Sequence, residues 1–194
     1  MAPKAKPKAR CPAFLELAKA RKTVYEFSGK PVGKRELGKI LEAGRWAPSC
    51  TNSQPWNFVA VRGKKRIEEL MKTANYGDFH GAPALIVALV LRQELCAGQD
   101  KACFRNVKTY THDTYMSIAA AGLQMALEAT ELGIGTCLLT PDAEKAKKLL
   151  KTLAEDDVPL MVGLGFEKEG AFQKKRERRA LKESVSYEVF GGRK

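Results

Sequence analysis

The sequence has no run of 18 or more uncharged apolar residues, so it predicts no membrane-spanning helix. Its basic N-terminus is not followed by an apolar stretch, which argues against a secretory signal peptide. No C-x-x-C pair and no zinc-like cluster with histidine occurs among Cys11, Cys50, Cys96, Cys103 and Cys137. Scattered cysteines in an odd number indicate free thiols in a reducing compartment, although Cys96 and Cys103 could pair as a loop disulfide. We therefore expect a cytoplasmic protein without a metal site.

Acidic residues are scarce in two short segments, and these segments carry most of the charge. Residues 1–10 and residues 174–179 each have a net charge of +4, out of +12 for the whole chain. The rest of the protein is only mildly basic, so a nucleic-acid-binding role would depend on these two segments. Neither segment interleaves aromatic residues with its cations, as a single-stranded nucleic-acid site does. Residues 1–12 contain almost nothing to bury and are predicted to be a disordered basic tail.

The remaining residues, 13–194, have the length of one domain and show no internal repeat. Apolar periodicity and helix-end signals predict helices over residues 12–22, 33–46, 64–74 and 112–132, and a further helix with Thr140 as N-cap and Pro141 at its first position. Strands are predicted over residues 57–62, 84–91, 136–139 and 160–166. The continuous apolar run 84–91 indicates a strand buried on both faces. This mixture of elements predicts one α+β domain.

Three further features of the pattern bear on function. Residues 92–111 are predicted to be a long polar loop, and a loop of that length usually has a function. The helix over 112–132 is apolar on nearly all sides, as an internal or interface helix would be. Residues 185–190 are strand-like but have no evident pairing partner in the chain.

Three segments could carry chemistry, and each allows two interpretations. Arg21, Lys22 and Thr23 form either a solvated helix end or an anion clamp. Residues 48–56, PSCTNSQPW, form either a rigid connecting loop or a set of donors and acceptors for the polar edge of a flat heteroaromatic ring. Residues 174–179 form either a solvated tail or, with Arg176 and Arg178 on one side of an extended chain, a phosphate site.

Together these segments resemble the FMN-dependent nitroreductase family over residues 14–189. PSCTNSQPW is the most specific match, and residues 20–27, ARKTVYEF, are similar to the family's Arg-x-Ser-x-Arg/Lys motif. Residues 133–137, GIGTC, resemble the family's Gly-rich entry to the strand under the flavin, and residues 176–181, RERRAL, resemble its C-terminal phosphate-binding stretch. Asn75 resembles an asparagine that bonds the pyrimidine edge of the flavin.

The resemblance implies a nitroreductase-like fold, with a mainly antiparallel four-stranded sheet flanked by helices. It also implies an obligate homodimer built on the long helix, in which a C-terminal arm of about residues 170–194 crosses to the partner and adds a strand there. FMN would lie at the dimer interface. The phosphate and ribityl side would be held by Arg21, Lys22, Thr23, Arg176 and Arg178. The second subunit would supply Pro48, Ser49, Cys50 and Asn52, and the further cofactor contacts would be Tyr25, Gln54, Asn75, Leu138, Leu139 and Thr140.

The implied reaction is ping-pong hydride transfer, in which NAD(P)H reduces FMN and leaves before a nitroaromatic or quinone-like acceptor takes the electrons. The chemistry occurs at N5 of the flavin, so no catalytic side chain is required. Phe104 and Tyr110 would belong to a substrate loop. The expected partners are a second copy of the chain and a small-molecule acceptor, with neither nucleic acid nor membrane.

Three residues depart from the family pattern. Tyr25 stands where the family often has Arg or Lys near N1 and O2 of the flavin, and Asp78 stands where some members carry lysine. Lys22 could supply the missing cation. Pro141 replaces a glycine whose N–H can face the flavin, and this leaves the backbone N–H of Thr140 as the donor to N5 or O4.

Alternative functions stay open at this point. A protein of the same fold could catalyse reductive dehalogenation or flavin breakdown, or could store flavin or regulate without turnover. Ferredoxin-linked relatives carry clustered cysteines, which this chain lacks. From a different class, the two basic segments could form a nucleic-acid-binding module.

Overall fold

The computed structural model describes residues 14–74, 81–92 and 107–190, with only the backbone described at 107–111. The secondary structure alternates between helices and strands along the chain. Its elements are α1 (Phe14–Ala20), α2 (Lys34–Arg45), β1 (Trp56–Val61), α3 (Lys64–Met71), β2 (Leu85–Leu91), α4 (Val107–Glu131), β3 (Gly135–Leu139), α5 (Ala143–Leu150) and β4 (Asp157–Gly165). Single 3-10 turns occur at Cys50–Asn52 and Leu181–Glu183. The predicted α+β architecture with four core strands is confirmed.

The four strands form one antiparallel sheet in the order β1-β2-β4-β3. Every residue of β2 is at most 2% exposed, as its continuous apolar run predicts. Leu85, Val87 and Leu89 face a core formed with α2 and α4, whereas Ile86 and Ala88 face a second core formed with α3 and α5. The sheet is therefore covered by two helices on each face.

One face of α4 is buried and another is exposed, although the helix carries apolar residues on nearly all sides. Ile118, Ala121 and Met125 are buried in the core beside α2. Met116 and Leu123 lie on another face and are 60% and 47% exposed. The single chain thus leaves large apolar side chains of its longest helix in contact with solvent.

Several predicted element boundaries are wrong, among them the start of β4 and the end of α3, and three have a clear physical reason. α1 ends at Ala20 rather than at residue 22, because Thr23 pairs with β3. α4 begins at Val107 rather than at residue 112, since lengthening an existing helix costs little even for weak helix formers. The N-cap of α5 is Asp142, whose carboxylate accepts from the backbone N–H of Lys145, and not Thr140.

The C-terminal residues return along the sheet and then run over the surface. Residues 185–190 form bends and a turn rather than a strand within the chain. Leu181, Val189 and Phe190 are among the most exposed apolar side chains described. Strand addition to a partner sheet stays a prediction. No helix in the described ranges is both long and apolar enough to cross a membrane.

Candidate functional site

The first predicted segment is an extended edge of the sheet and not a helix end. We call residues 21–28 the edge segment. Thr23 pairs with Thr136 of β3 in the parallel sense, and the N–H of Val24 donates to the carbonyl of Thr136 at 2.8 Å. Because successive side chains of an extended chain point to opposite sides, alternate residues of this segment have different surroundings. Val24 is buried, whereas Arg21, Thr23 and Tyr25 line a cleft.

Two glycines allow the edge segment to lie against the sheet. Gly135 of β3 and Gly165 of β4 are cross-strand partners. A Cβ atom added at Gly135 would lie 2.6 Å from Cγ2 of Val24, and one added at Gly165 would lie 2.7 Å from Cδ1 of Phe27. Both distances are shorter than real carbon contacts, so only glycine fits without displacement. Gly135, the second glycine of the GIGTC motif, therefore lets Val24 pack closely on the sheet, and this packing positions Arg21 and Thr23.

The chain after β4 runs back along the edge segment in the opposite direction. We call residues 166–178 the return segment. The N–H of Ser28 donates to the carbonyl of Phe166 at 2.8 Å, and the N–H of Lys168 donates to the carbonyl of Glu26 at 3.0 Å. Next, the N–H of Phe172 donates to Oε1 of Glu26 at 3.3 Å. These contacts bring the C-terminal cations towards the first residues of the edge segment.

Side chains continue this pairing as far as Arg176. The rings of Tyr25 and Phe172 lie 6.3 Å apart and are tilted by 55°. Within the return segment, the side chain of Glu167, which is paired with Lys22 of the edge segment, accepts from the amide of Gln173. Nη1 of Arg176 donates to the backbone carbonyl of Arg21 at 2.6 Å. The return segment is thereby joined to the edge segment at both of its ends.

The two segments enclose a cleft of about 250 Å³, which we call the cation cleft. Its lining includes six cations and one carboxylate. The lining residues are Arg21, Lys22, Thr23, Tyr25, Gln173, Lys174, Lys175, Arg176, Glu177 and Arg178.

Ion pairs neutralise only some of these cations. The ammonium of Lys22 lies 2.6 Å from Oε2 of Glu167, and that of Lys175 lies 2.6 Å from Oε1 of Glu177. Such exposed pairs contribute little to stability, but they show which charges are already compensated. Lys22, a candidate cation for the flavin ring, is thus paired with Glu167 in this chain.

The pKa of the half-buried Arg21 guanidinium is lowered, first because burial penalises its charge and then because Arg176 and Arg178 carry like charges beside it. Three guanidinium groups that repel one another are stabilised when an anion binds between them. This charge arrangement fits a phosphate monoester. Among the described residues, no group of three or more His, Cys, Asp or Glu could hold a metal ion.

Three other predicted site residues lie at the end of β3. Leu138 is 42% exposed and Thr140 is exposed, whereas Leu139 is buried in the core against α3 and α5. A ligand could therefore contact Leu139 only through its backbone. Pro141 pairs with Ala74, and the N–H of Asp142 donates to the carbonyl of Thr73 at 2.6 Å. These bonds fix the backbone around Thr140 beside the end of α3.

The PSCTNSQPW loop has a constrained backbone. Thr51, Asn52 and Gln54 have φ values of 51°, 58° and 48°, which lie in the left-handed region. Such conformations are costly for residues other than glycine and persist where surrounding structure imposes them. The N–H of Gln54 donates to Oγ of Ser49 at 3.0 Å, and buried Trp56 begins β1 directly after the loop. The loop is therefore built as a rigid unit.

The single chain does not bring every predicted site residue together. Arg21, Lys22, Thr23, Tyr25, Arg176 and Arg178 share the cation cleft, and Pro48, Ser49, Cys50, Asn52 and Gln54 do not line it. The loop of residues 48–54 contacts α4 instead. Its predicted contribution from a second subunit stays a prediction.

Asn75 and Phe104 lie outside the described residues. The backbone of Tyr110 belongs to α4, so its predicted position in a loop is wrong, and its side chain is not described.

Sequence reasoning missed the residues that hold the return segment. Glu26, Glu167 and Phe172 make these contacts, and Gly165 makes room for the edge segment. Glu167 directly precedes Lys168 and Glu26 stands four residues from Lys22 and from Lys30, so nothing local marks either carboxylate as a partner of the other segment. Their partners could not be read from the sequence without the register between the two segments.

Comparison with known proteins decides the family. Residues 18–166 match the model of the nitroreductase family, which is well over half of the chain. The chain belongs to the nitroreductase family. This family comprises oxidoreductases, and the match confirms the predicted fold and the resemblance described above.

The individual relatives of this chain are distant. It is 27% identical over 161 residues to the "Putative NADH dehydrogenase/NAD(P)H nitroreductase" of Archaeoglobus fulgidus, covering 80% of this chain and 86% of that protein. The crystal structure of a nitroreductase family protein from Streptococcus pneumoniae has a TM-score of 0.75 at 22% identity, covering 90% and 99% of the two chains. A nitroreductase from Bacteroides fragilis, solved with bound FMN, has a TM-score of 0.66 at 27% identity, covering 86% and 94%.

The family match ends at residue 166, where the return segment begins. Any role for Arg176 and Arg178 must therefore be argued from the geometry of the cation cleft rather than from that match.

Proposed function

We propose that the protein is an FMN-dependent oxidoreductase that transfers hydride from NAD(P)H to a nitroaromatic or quinone-like acceptor. The observation that carries this proposal is the group of guanidinium ions of Arg21, Arg176 and Arg178 at the cation cleft. A flavin mononucleotide carries one phosphate dianion, which two guanidinium groups can neutralise by charge-assisted hydrogen bonds. The bound FMN of the Bacteroides fragilis relative supports the same cofactor here.

The protein's part in this reaction is binding and orientation. FMN, when bound, supplies the hydride chemistry. Arg21, Thr23 and Arg178 would hold the phosphate end, because they line the cleft together. The backbone N–H of Thr140 and the exposed side chain of Leu138 lie at the end of β3, the strand that pairs with Thr23. They would contact the ring.

A second copy of the chain is part of the proposal. Met116 and Leu123 are exposed on α4, and Trp46 is exposed at the end of α2, the helix that packs on α4. Large exposed apolar surface of this kind marks an interaction site. The PSCTNSQPW loop does not reach the cation cleft of its own chain. A homodimer would cover the apolar surface and bring the loop of one copy to the cleft of the other.

The binding site is tested by comparing FMN with riboflavin, which lacks the phosphate. Fluorescence titration of the apoprotein should give much tighter binding of FMN. Arg178→Ala and Arg21→Ala should each weaken FMN binding by about 1.5–3 kcal/mol, the contribution of one hydrogen bond to a charged group. Arg35→Ala, an exposed arginine on α2, is the matched control. Equal affinities for FMN and riboflavin would refute the proposal.

The reaction is tested by separating its two halves without oxygen. NAD(P)H should bleach the flavin absorbance of the holoprotein, and adding a nitroaromatic or quinone after removing the nucleotide should restore it. A requirement for both substrates at once would contradict the ping-pong order.

A further inference from the structure

We propose that Arg176 is a positioning residue, which holds Arg178 at the cation cleft by bonding the backbone of Arg21. This inference rests on the proposed FMN site, because it assigns different roles to two arginines that the sequence treats as equivalent. On this proposal Arg178 is the phosphate ligand, and Arg176 fixes the return segment so that Arg178 is already in place when the ligand arrives.

Arg176 bonds to the backbone of the edge segment. Its Nη1 donates to the carbonyl oxygen of Arg21 at 2.6 Å, across 155 positions of sequence. Arg21 directly follows α1, where a helix leaves carbonyl groups without an intrahelical partner. Arg176 satisfies such a carbonyl by a bond between two residues of the chain itself.

The hydrogen bonding of Arg178 differs from that of Arg176. Its Nη1 donates at 3.0 Å to the carbonyl of Glu177, its own neighbour in sequence. Within the described ranges, no hydrogen bond or ion pair ties the Arg178 side chain to the edge segment, although its charge acts on Arg21. Most of the five N–H donors of this guanidinium thus remain available for a ligand. The position of Arg178 must therefore be set by other residues.

The contacts that hold the return segment are spaced unevenly along it. Phe172 and Gln173 are held by Glu26 and Glu167. Between Gln173 and Arg178, the contact described to the edge segment is that of Arg176. Without it, Arg178 would lie at the end of five exposed residues beyond the last tie. A ligand would then have to order that stretch on binding, which weakens its affinity.

A double-mutant cycle separates positioning from direct binding. The FMN dissociation constant is measured by fluorescence titration for apoprotein carrying Arg176→Ala, Arg178→Ala or both. If the two arginines were independent phosphate ligands, their fold-changes in affinity would multiply. If Arg176 acts only through Arg178, the double variant should bind FMN about as well as Arg178→Ala alone. Arg179→Ala, one residue further along and outside the cleft lining, is the matched control.

Riboflavin distinguishes positioning from general damage to the fold. Arg176→Ala should leave riboflavin affinity unchanged, because riboflavin has no phosphate for Arg178 to bind. A parallel loss of FMN and riboflavin affinity would mean that the variant disturbs the whole site, and would overturn the proposal.

Limited digestion with trypsin tests the tie in the absence of FMN. Cleavage after Lys174, followed by mass spectrometry of the apoprotein, should be several-fold faster in Arg176→Ala than in wild type and unchanged in Arg178→Ala. If Arg176→Ala is cleaved faster but the wild-type protein binds no FMN, the proposed function is refuted while the bond between Arg176 and Arg21 stands. Unchanged cleavage in Arg176→Ala, or multiplying effects in the cycle, would overturn the positioning role.

Discussion

Replacing Gly165 with alanine would insert a methyl group between β4 and the edge segment. The added Cβ would lie 2.7 Å from Cδ1 of Phe27 and 3.2 Å from the backbone nitrogen of Ala84. Ordinary contacts begin at 3.4 Å, so the Phe27 ring must retreat by about 0.7 Å. Phe27 is only 7% exposed and has little space to move into. The displacement must therefore pass to the backbone of the edge segment.

The expected size of the effect follows from this overlap. Overpacking of a buried contact costs about 1–3 kcal/mol of unfolding free energy. The same displacement moves Arg21 and Thr23 relative to the cation cleft, and a shift of about 1 Å in a positioning residue can cost about 10²-fold in function. We expect Gly165→Ala to lose both stability and FMN affinity.

Urea denaturation and FMN titration measure the two effects. Gly38→Ala in α2 is the matched control, because no atom lies within 4 Å of the added Cβ and alanine favours a helix interior by about 0.5–1 kcal/mol. Combining Gly165→Ala with Phe27→Leu should recover part of the FMN affinity by removing the overlapping ring edge. A Gly165→Ala protein with wild-type stability and FMN affinity would refute the packing role of this glycine.

Three other residues give measurable predictions. Burial raises the pKa of the Cys137 thiol from 9.0 to about 12, so its thiolate is roughly a thousandfold scarcer. Native protein at pH 8 should therefore be alkylated at Cys137 very slowly, and rapid labelling of the peptide that contains Cys137 would contradict this. The hydrogen bond to Asp157 raises the pKa of Tyr115 to about 12, above its ordinary 10.0, so this bond stabilises the fold fully below pH 10 and is lost as the pH rises towards 12. Tyr115→Phe should then lose about 1 kcal/mol at pH 7 in urea denaturation, with a difference from wild type that shrinks above pH 10; a constant difference would exclude this cause. Tyr25→Lys should raise the two-electron potential of bound FMN by tens of millivolts in dye equilibration, since roughly 30 mV corresponds to about 1.4 kcal/mol. An unchanged potential would mean that another group, such as Lys22, already serves the ring edge.

Elements whose burial is local in sequence could be predicted well. The seven apolar residues of β2 indicated a strand with two buried faces, and the spacing of Leu37, Ile40 and Gly44 indicated the buried face of α2. Such patterns report directly which side of an element is apolar. The sequence also marked the cations of the cleft, because Arg21 and Arg178 lie in segments with little competing acid.

Boundaries that depend on distant partners could not be predicted. Thr140 and Asp142 are both good N-cap residues, and local signals favoured Thr140 because Pro141 follows it. In the fold, Pro141 pairs with Ala74, so the chain stays extended for two more residues. The register between the edge segment and the return segment is likewise a long-range property. The residues of each segment do not indicate which residues of the other segment they will contact.

The edge segment both lines the cation cleft and holds the return segment. Arg21, Lys22, Thr23 and Tyr25 line the cleft, while Lys22 and Glu26 form ion pairs with the return segment. A slip of one residue in its pairing with β3 would turn each of these side chains to the opposite side. The packing of Val24 on Gly135 and of Phe27 on Gly165 opposes such a slip, because a slip would move both side chains away from these glycines. The packing of two apolar residues on two glycines therefore decides which charges face the ligand.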